Sequence, residues 1–286
     1  MKHTISVCVL FFLALMIPLG ALELNVSGQT SSFAMKDNGD FTPASPNYGM
    51  AFSISEQIQE QLEGKVSFES DPLIGNTVAA RVAYRTSFLE ISAGPSFGVL
   101  NTSGNSKDIP VLFQPGVGIG FSITAPGIVV AHADTDFALP SVSGGQVYLQ
   151  KSELSAGFYL PNVLCRIAIN QRTNSLETLI ATRVKSVTDY GLYTESYKKG
   201  SLFRIGVNFI YRISDYAVSA SPADNRKIGH LVLGGGLTWI PKNDFNLFID
   251  GNGSLYSFSL GKMDTTLAAT FFEVRAGAKI ITGNTQ

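Results

Sequence analysis

The stretch Phe203-Arg204-Ile205-Gly206-Val207-Asn208-Phe209-Ile210-Tyr211-Arg212-Ile213 swaps apolar and polar residues at nearly every step. Successive side chains of a strand point to opposite faces, so this segment has one oily face and one wet face. Similar segments recur through the rest of the chain, and between them tight turns take turns with longer polar connections. That rhythm predicts an all-β chain whose strands meet lipid on one side and water on the other.

Counting alternating segments predicts roughly fourteen strands. They cover 22–30, 48–60, 62–70, 76–85, 88–99, 111–124 and 128–137, then 146–160, 163–172, 176–194, 201–214, 228–240, 245–259 and 266–281. Segments 128–137 and 176–194 alternate weakly, which leaves counts of about twelve or about sixteen open. In 146–160 the apolar phase slips between Leu149 and Leu154, which predicts a bulge or a portion standing above the bilayer. The connections at Thr86-Ser87, 125–127, Pro161-Asn162 and 241–244 are tight, whereas 31–47, 100–110 and 215–227 are longer and polar. An even strand number with this alternation puts both ends of the sheet on the tight-turn, periplasmic side. Tyr84, Phe88, Phe158, Tyr159, Tyr193, Phe203, Trp239 and Phe245 cluster beside the tight turns and read as one interfacial girdle, or as ordinary strand-end aromatics.

Lys2 and His3, the apolar run from Ile5 to Leu19 and the small pair Gly20-Ala21 read as a secretory signal peptide, 1–21, cleaved after Ala21. The expected mature unit is then a single domain, 22–286, that enters its first strand at once and leaves no room for an N-terminal plug. Cleavage removes Cys8 and leaves Cys165, so no intrachain disulfide is expected. Charged residues make up only 15% of the chain and the formal net charge is −1, which offers nothing to a nucleic acid. A secreted chain of this length without disulfides needs a large core or a lipid-embedded sheet. Its abundant Gly, Phe, Ser and Thr suit the second.

A cleaved leader, immediate entry into amphipathic strands, and long loops opposed to short turns resemble the outer-membrane β-barrels of diderm bacteria. In size and strand number the chain looks like the small monomeric porins of about fourteen strands. The start Ala21-Leu22-Glu23-Leu24 is similar to that of spirochaete outer-membrane proteins. The resemblance implies a transmembrane up-and-down antiparallel barrel in the bacterial outer membrane, with membrane lipid as its surroundings and small hydrophilic solutes or ions as its cargo. It departs at the end of the chain, Thr282-Gly283-Asn284-Thr285-Gln286, where such barrels usually finish on an aromatic residue; Phe272 and Val274 stand nearest to that role.

With the apolar face to lipid, the other face lines the lumen. Arg166, Arg172, Arg183, Lys185, Arg204 and Arg212 fall there on three successive strands and are expected to line the pore as a basic wall that favours small anions and orients dipolar solutes. The alternative is that they pair with acids such as Glu23, Glu63, Glu69, Glu90, Asp250 and Glu273 and partly fill the interior. Gly94, Ser96, Gly98, Gly116, Gly118, Gly120 and Ser122 are small and inward, which argues for open space or for eased strand curvature. The segment 31–47 is the expected inward-folding loop because of its length.

His132, Asp134 and Asp136 share one strand face and could hold a divalent cation or act as a dyad, or simply form a solvated strand end. No nucleophile, oriented base and oxyanion hole assemble from the sequence, and Gly234-Gly235-Gly236 sits in a strand with no helix to follow, unlike a phosphate loop. The reading therefore expects no catalytic residue, no cofactor, no metal and no enzyme. It favours a channel for small hydrophilic solutes through a polar lumen. The alternatives are a surface-exposed adhesin or binding barrel that meets an extracellular ligand through its loops, and a soluble periplasmic β-sandwich.

Overall fold

The computed structural model describes residues 22–35, 41–71, 75–100, 112–125, 129–138, 146–177, 181–196, 198, 200–220, 222, 225–260 and 270–282. Residues 1–21, expected to be a signal peptide, Cys8 among them, the connections at 101–111 and 126–128 and residues 283–286 lie outside them. Each alternating segment forms a strand: β1 Leu22–Met35, β2 Phe41–Gln59, β3 Leu62–Asp71, β4 Gly75–Arg85, β5 Leu89–Leu100, β6 Leu112–Ala125, β7 Val129–Ala138, β8 Gln146–Leu160, β9 Val163–Glu177, β10 Thr182–Ser196, β11 Phe203–Val218, β12 Arg226–Lys242, β13 Phe245–Ser259 and β14 Phe272–Thr282. Every strand pairs antiparallel with its neighbours in sequence. β1 then pairs β14, from Leu22↔Thr282 to Ser31↔Glu273, so the sheet closes on itself. Closure satisfies every edge, as a sheet surrounded by lipid must. One closed sheet also overturns the sandwich reading, which needs two.

Tight turns sit at one end of the barrel. Pro161 presets the first central position of the β8–β9 turn and Asn162, at φ 64°, takes the left-handed second position, the combination of a type II turn. At the other end the strands run past the expected loop limits. Within the segment 31–47, expected to fold inward, residues 31–35 and 41–47 belong to paired strands: Ser31 pairs Asn47 and, beyond a register shift at Ser32, Phe33 pairs Pro43 and Met35 pairs Phe41, while 36–40 lie outside the described residues. Backbone pairing, with no lipid to impose a period of two, holds this polar run as strand.

The outer face is a band of exposed aliphatic and aromatic side chains, among them Ile91, Ile119, Ile167, Leu192, Ile205, Phe209 and Ile249. An apolar surface this continuous has no place in water. Tyr84, Phe88, Phe158, Phe203 and Trp239 edge the band beside the tight turns. Tyr193 does not join them: it turns into the lumen beneath the Arg166 guanidinium. A second edge, unanticipated from sequence, is a run of stacked rings across β10–β13. Tyr190 stacks on Tyr211 (centroids 6.4 Å apart), Tyr211 on Phe258 (6.1 Å) and Phe258 on Tyr256 (6.0 Å). A bulge at Leu255 lets Leu255 and Tyr256 both face outward. Tyr211 follows Phe203 by eight residues on β11, so the two aromatic edges are roughly 20 Å apart along the barrel axis, close to the apolar height of an outer membrane.

The bulge expected in β8 is absent, for β8 keeps continuous register with both neighbours. The slipped phase has another cause. Leu154 faces lipid, whereas Leu149 points inward and is buried against Gly98, where a Cβ would lie 2.6 Å from the Leu149 Cδ1.

Candidate functional site

Alternation places all six expected pore residues on the inner face, but their surroundings differ. Arg212 of β11 is 2% exposed and held by two carboxylates: Nε and Nη2 donate to Asp189 of β10 at 2.7 and 2.9 Å, and Nη1 and Nη2 donate to Glu273 of β14 at 2.7 and 3.0 Å. The two bidentate pairs take four of the guanidinium's five N–H donors. The Phe271 ring lies over the same guanidinium at 5.1 Å, meets His230 edge-on at 5.3 Å, and packs with Ile210 and Val232. Phe271 is fixed there by its N–H to Ser254 Oγ (2.8 Å) and by its carbonyl, which accepts from the Ser254 N–H (2.9 Å). Together with Ile228, Ser214, Tyr216 and Val187, these buried groups fill the β10–β12 side of the lumen toward the outer end.

Arg172 of β9 donates to Asp71 of β3 at 2.8 Å, and Lys151 of β8 to Glu69 of β3 at 2.5 Å. These pairs cross the lumen. A round barrel of this size would be roughly 28 Å across, from a ~4.8 Å strand spacing and ~40° tilt, whereas an Arg–Asp pair spans about 13 Å between Cα atoms. The walls at β3 and β8–β9 are therefore drawn together. Two chambers flank the pinch, one of about 620 Å³ bordered chiefly by β9–β14 and β1, and one of about 690 Å³ bordered chiefly by β1–β7; Arg275 borders both.

The remaining expected residues divide between chamber and rim. Arg166, Lys185 and Arg204 border the first chamber with Arg172. Arg183, register partner of Val218, stands toward the outer end and is engaged with other groups. Arg166 lies 5.3 Å from the centre of the Tyr193 ring and 3.7 Å from Glu153; Arg204 lies 3.6 Å from Glu195. At the tight-turn mouth Arg85 joins Glu63 and Glu90, both at 2.8 Å, and Lys279 joins Glu23 at 2.6 Å. Cations and acids thus alternate round the lumen, and the one-signed wall read from β9–β11 is met by carboxylates from β3, β10 and β14.

The acidic row on β7 has a protein partner. Arg81 of β4 reaches across β5 and β6 to Asp134 and, at 2.6 Å, to Asp136. The ion pair passes over Gly118 and Gly120 of β6; a Cβ at Gly118 would stand 2.4 Å from Asp136 Oδ1 and 2.5 Å from Arg81 Nη2. The inward glycines here are saddles for a crossing side chain, so the space they suggest in the sequence is occupied. Among the described residues no His, Cys, Asp and Glu group is arranged to hold a metal ion. Gly234 does for an amide pair what Gly118 does for Arg81: Asn208 Nδ2 donates to Asn252 Oδ1 at 2.8 Å across it.

Solved structures similar to this barrel include outer-membrane proteins. An outer-membrane channel from Pseudomonas putida F1 aligns over 93% of this chain and 97% of its own, at 10% identity and a TM-score of 0.51. The fold is that of the bacterial outer-membrane β-barrels. The CymD monoaromatic hydrocarbon channel aligns over 93% of this barrel and 89% of itself, at 12% identity and a TM-score of 0.50. No protein-family model matches the sequence, and no curated protein matches it either. Among the described residues no helix is long and apolar enough to cross a membrane, and the strands do the crossing. With its oily band edged by aromatics, the barrel belongs in the bacterial outer membrane.

Asp71, Asp189, Tyr193, Phe271 and Arg275 are parts of this interior that the sequence reading did not assign to it. Asp189 was reachable, because it is the direct cross-strand partner of Arg212 and shares its face. Asp71 was not, since its partner lies six strands away.

Proposed function

We propose that this barrel is an outer-membrane channel for small hydrophilic solutes, with residues 1–21 as its cleaved leader. The observation that carries the reading is the inner wall. It is polar and charged where the outer wall is apolar, and it borders two chambers of about 620 and 690 Å³. A polar lumen wider than side chains can fill is what passive diffusion needs. The two similar structures are both called channels, one of them for monoaromatic hydrocarbons. The chamber walls here are built from Arg, Asn, Glu and Thr and suit a different, water-soluble cargo. Single-channel recording of the refolded barrel in a planar bilayer tests the proposal; discrete conductance steps support it.

One observation favours a second reading, a surface-exposed binding barrel. Phe271, Arg212, His230, Val232 and Ile228 fill one side of the lumen toward the outer end, and the Arg172–Asp71 pair crosses the lumen between the two chambers. A barrel that inserts, resists heat and carries no current would be such a scaffold.

A further inference from the structure

The inward arginines divide by what their donors are doing. Arg81, Arg85, Arg172 and Arg212 each donate to a carboxylate oxygen at 2.6 to 2.8 Å. Arg166 and Arg204 do not: the carboxylates beside them, Glu153 and Glu195, stand at 3.7 and 3.6 Å, outside hydrogen-bond reach. Arg275 gives Nε to Ser27 Oγ at 3.3 Å and rests its guanidinium 5.3 Å from the Phe248 ring. These three border the same chamber.

Each has a fork with donors to spare, and two of the guanidinium groups rest over an aromatic ring, 5.3 Å from its centre. The floor between them is low. A Cβ at Gly206 would meet nothing closer than the Thr194 carbonyl at 3.5 Å, so the body of a solute can lie on bare backbone there. Planar forks with donors to spare, in a recess with low-dielectric walls, match the two oxygens of a carboxylate or a phosphate. We propose that the chamber binds small solutes carrying such an oxyanion through Arg166, Arg204 and Arg275. Glu195 and Asp250, on the same wall, compete with the solute for these cations and keep binding weak enough for release. This site rests on the lumen being reached by solutes, as the channel reading requires.

The test is calorimetric titration of the refolded, detergent-solubilised barrel with glucuronate, inorganic phosphate and, as neutral control, glucose. The expected result is binding of at least one of the two anions and none of glucose; which anion binds identifies carboxylate or phosphate as the recognised group. R166Q/R204Q should weaken that binding about tenfold or more, and R166K/R204K, which keeps charge but loses the fork, by a smaller factor. Where the glutamine pair yields no heat-resistant barrel, the lysine pair carries the test. No anion binding, equal binding of glucose, or binding untouched by the variants overturns the site. Conductance of the same preparations separates this result from the channel reading. A silent barrel that binds an anion keeps the site and loses the channel, and a conducting barrel that binds none does the reverse.

Discussion

Arg172 on β9 and Asp71 on β3 meet at 2.8 Å across the inside of the barrel, six strands apart in a ring of fourteen. The Asp71 side chain is 3% exposed, so it is a nearly dry carboxylate whose charge is met by a guanidinium from the facing wall. Removing Arg172 leaves the Asp71 carboxylate buried without its guanidinium, at a cost of about 3 kcal/mol or more. Arg172→Gln should therefore lower the temperature at which the barrel loses its heat-resistant gel migration. It should also raise single-channel conductance, because the pinch between β3 and β8–β9 is released. Unchanged conductance in a destabilised variant would make the pair purely structural.

Arg81 crosses two strands to reach Asp134 and Asp136, and Gly118 makes the crossing possible. Gly118→Ala puts a methyl group against the guanidinium and should cost about 1–3 kcal/mol, the usual effect of overfilling a packed site. In an Arg81→Ala background the added methyl still meets the Asp136 carboxylate, 2.4 Å from the Cβ position, but that side chain is released from its ion pair and can turn away, so the cost should fall. A double-mutant cycle by urea unfolding in micelles reads this directly. Additive costs would show that Gly118 serves strand curvature instead.

The barrel was legible in the sequence because lipid imposes a period of two on every residue that touches it. Phe203 to Ile213 shows that rule plainly. Where lipid does not reach, the rule lapses, and the paired ends of β1 and β2 between Ser31 and Asn47 read as a loop. The slip at Leu149 misled for a related reason: an inward leucine filling the recess over Gly98 obeys lumen packing, not lipid contact. The lumen itself was only half legible. Alternation says which residues face inward, and neighbouring strands can reveal a pair such as Asp189 with Arg212. Partners on opposite walls, as in Arg172 with Asp71, depend on how far the barrel flattens, which no local stretch encodes.

Trp239, the only tryptophan in the sequence, sits on the outer face beside the tight turns, directly paired with Phe203. Its amphipathic ring suits the boundary between acyl chains and headgroups. In vesicles, its fluorescence should be quenched more by lipids brominated near the headgroup than by lipids brominated at the chain ends. Equal or deeper quenching would displace the aromatic edge and with it the assigned height of the band.

Phe271 occupies the lumen from the segment leading into β14, and four contacts hold it: the Arg212 face, the His230 edge, and Ile210 and Val232 beneath. The ring is 5% exposed, and its backbone is tied to Ser254 in both directions. Because those ties are made by main-chain atoms, Phe271→Ala keeps the strand start in place and removes only the ring. Truncating a buried phenylalanine typically costs about 3–5 kcal/mol, part of it for the cavity left behind. Here the cavity opens toward water, so some of that penalty is relieved by filling. If the ring obstructs the solute path, F271A should raise conductance, and Phe271→Leu, which restores most of the apolar volume, should return it toward the parent value. A loss of thermal resistance without any change in current would place the path on the far side of the Arg172–Asp71 pair, through the chamber bordered by β1–β7.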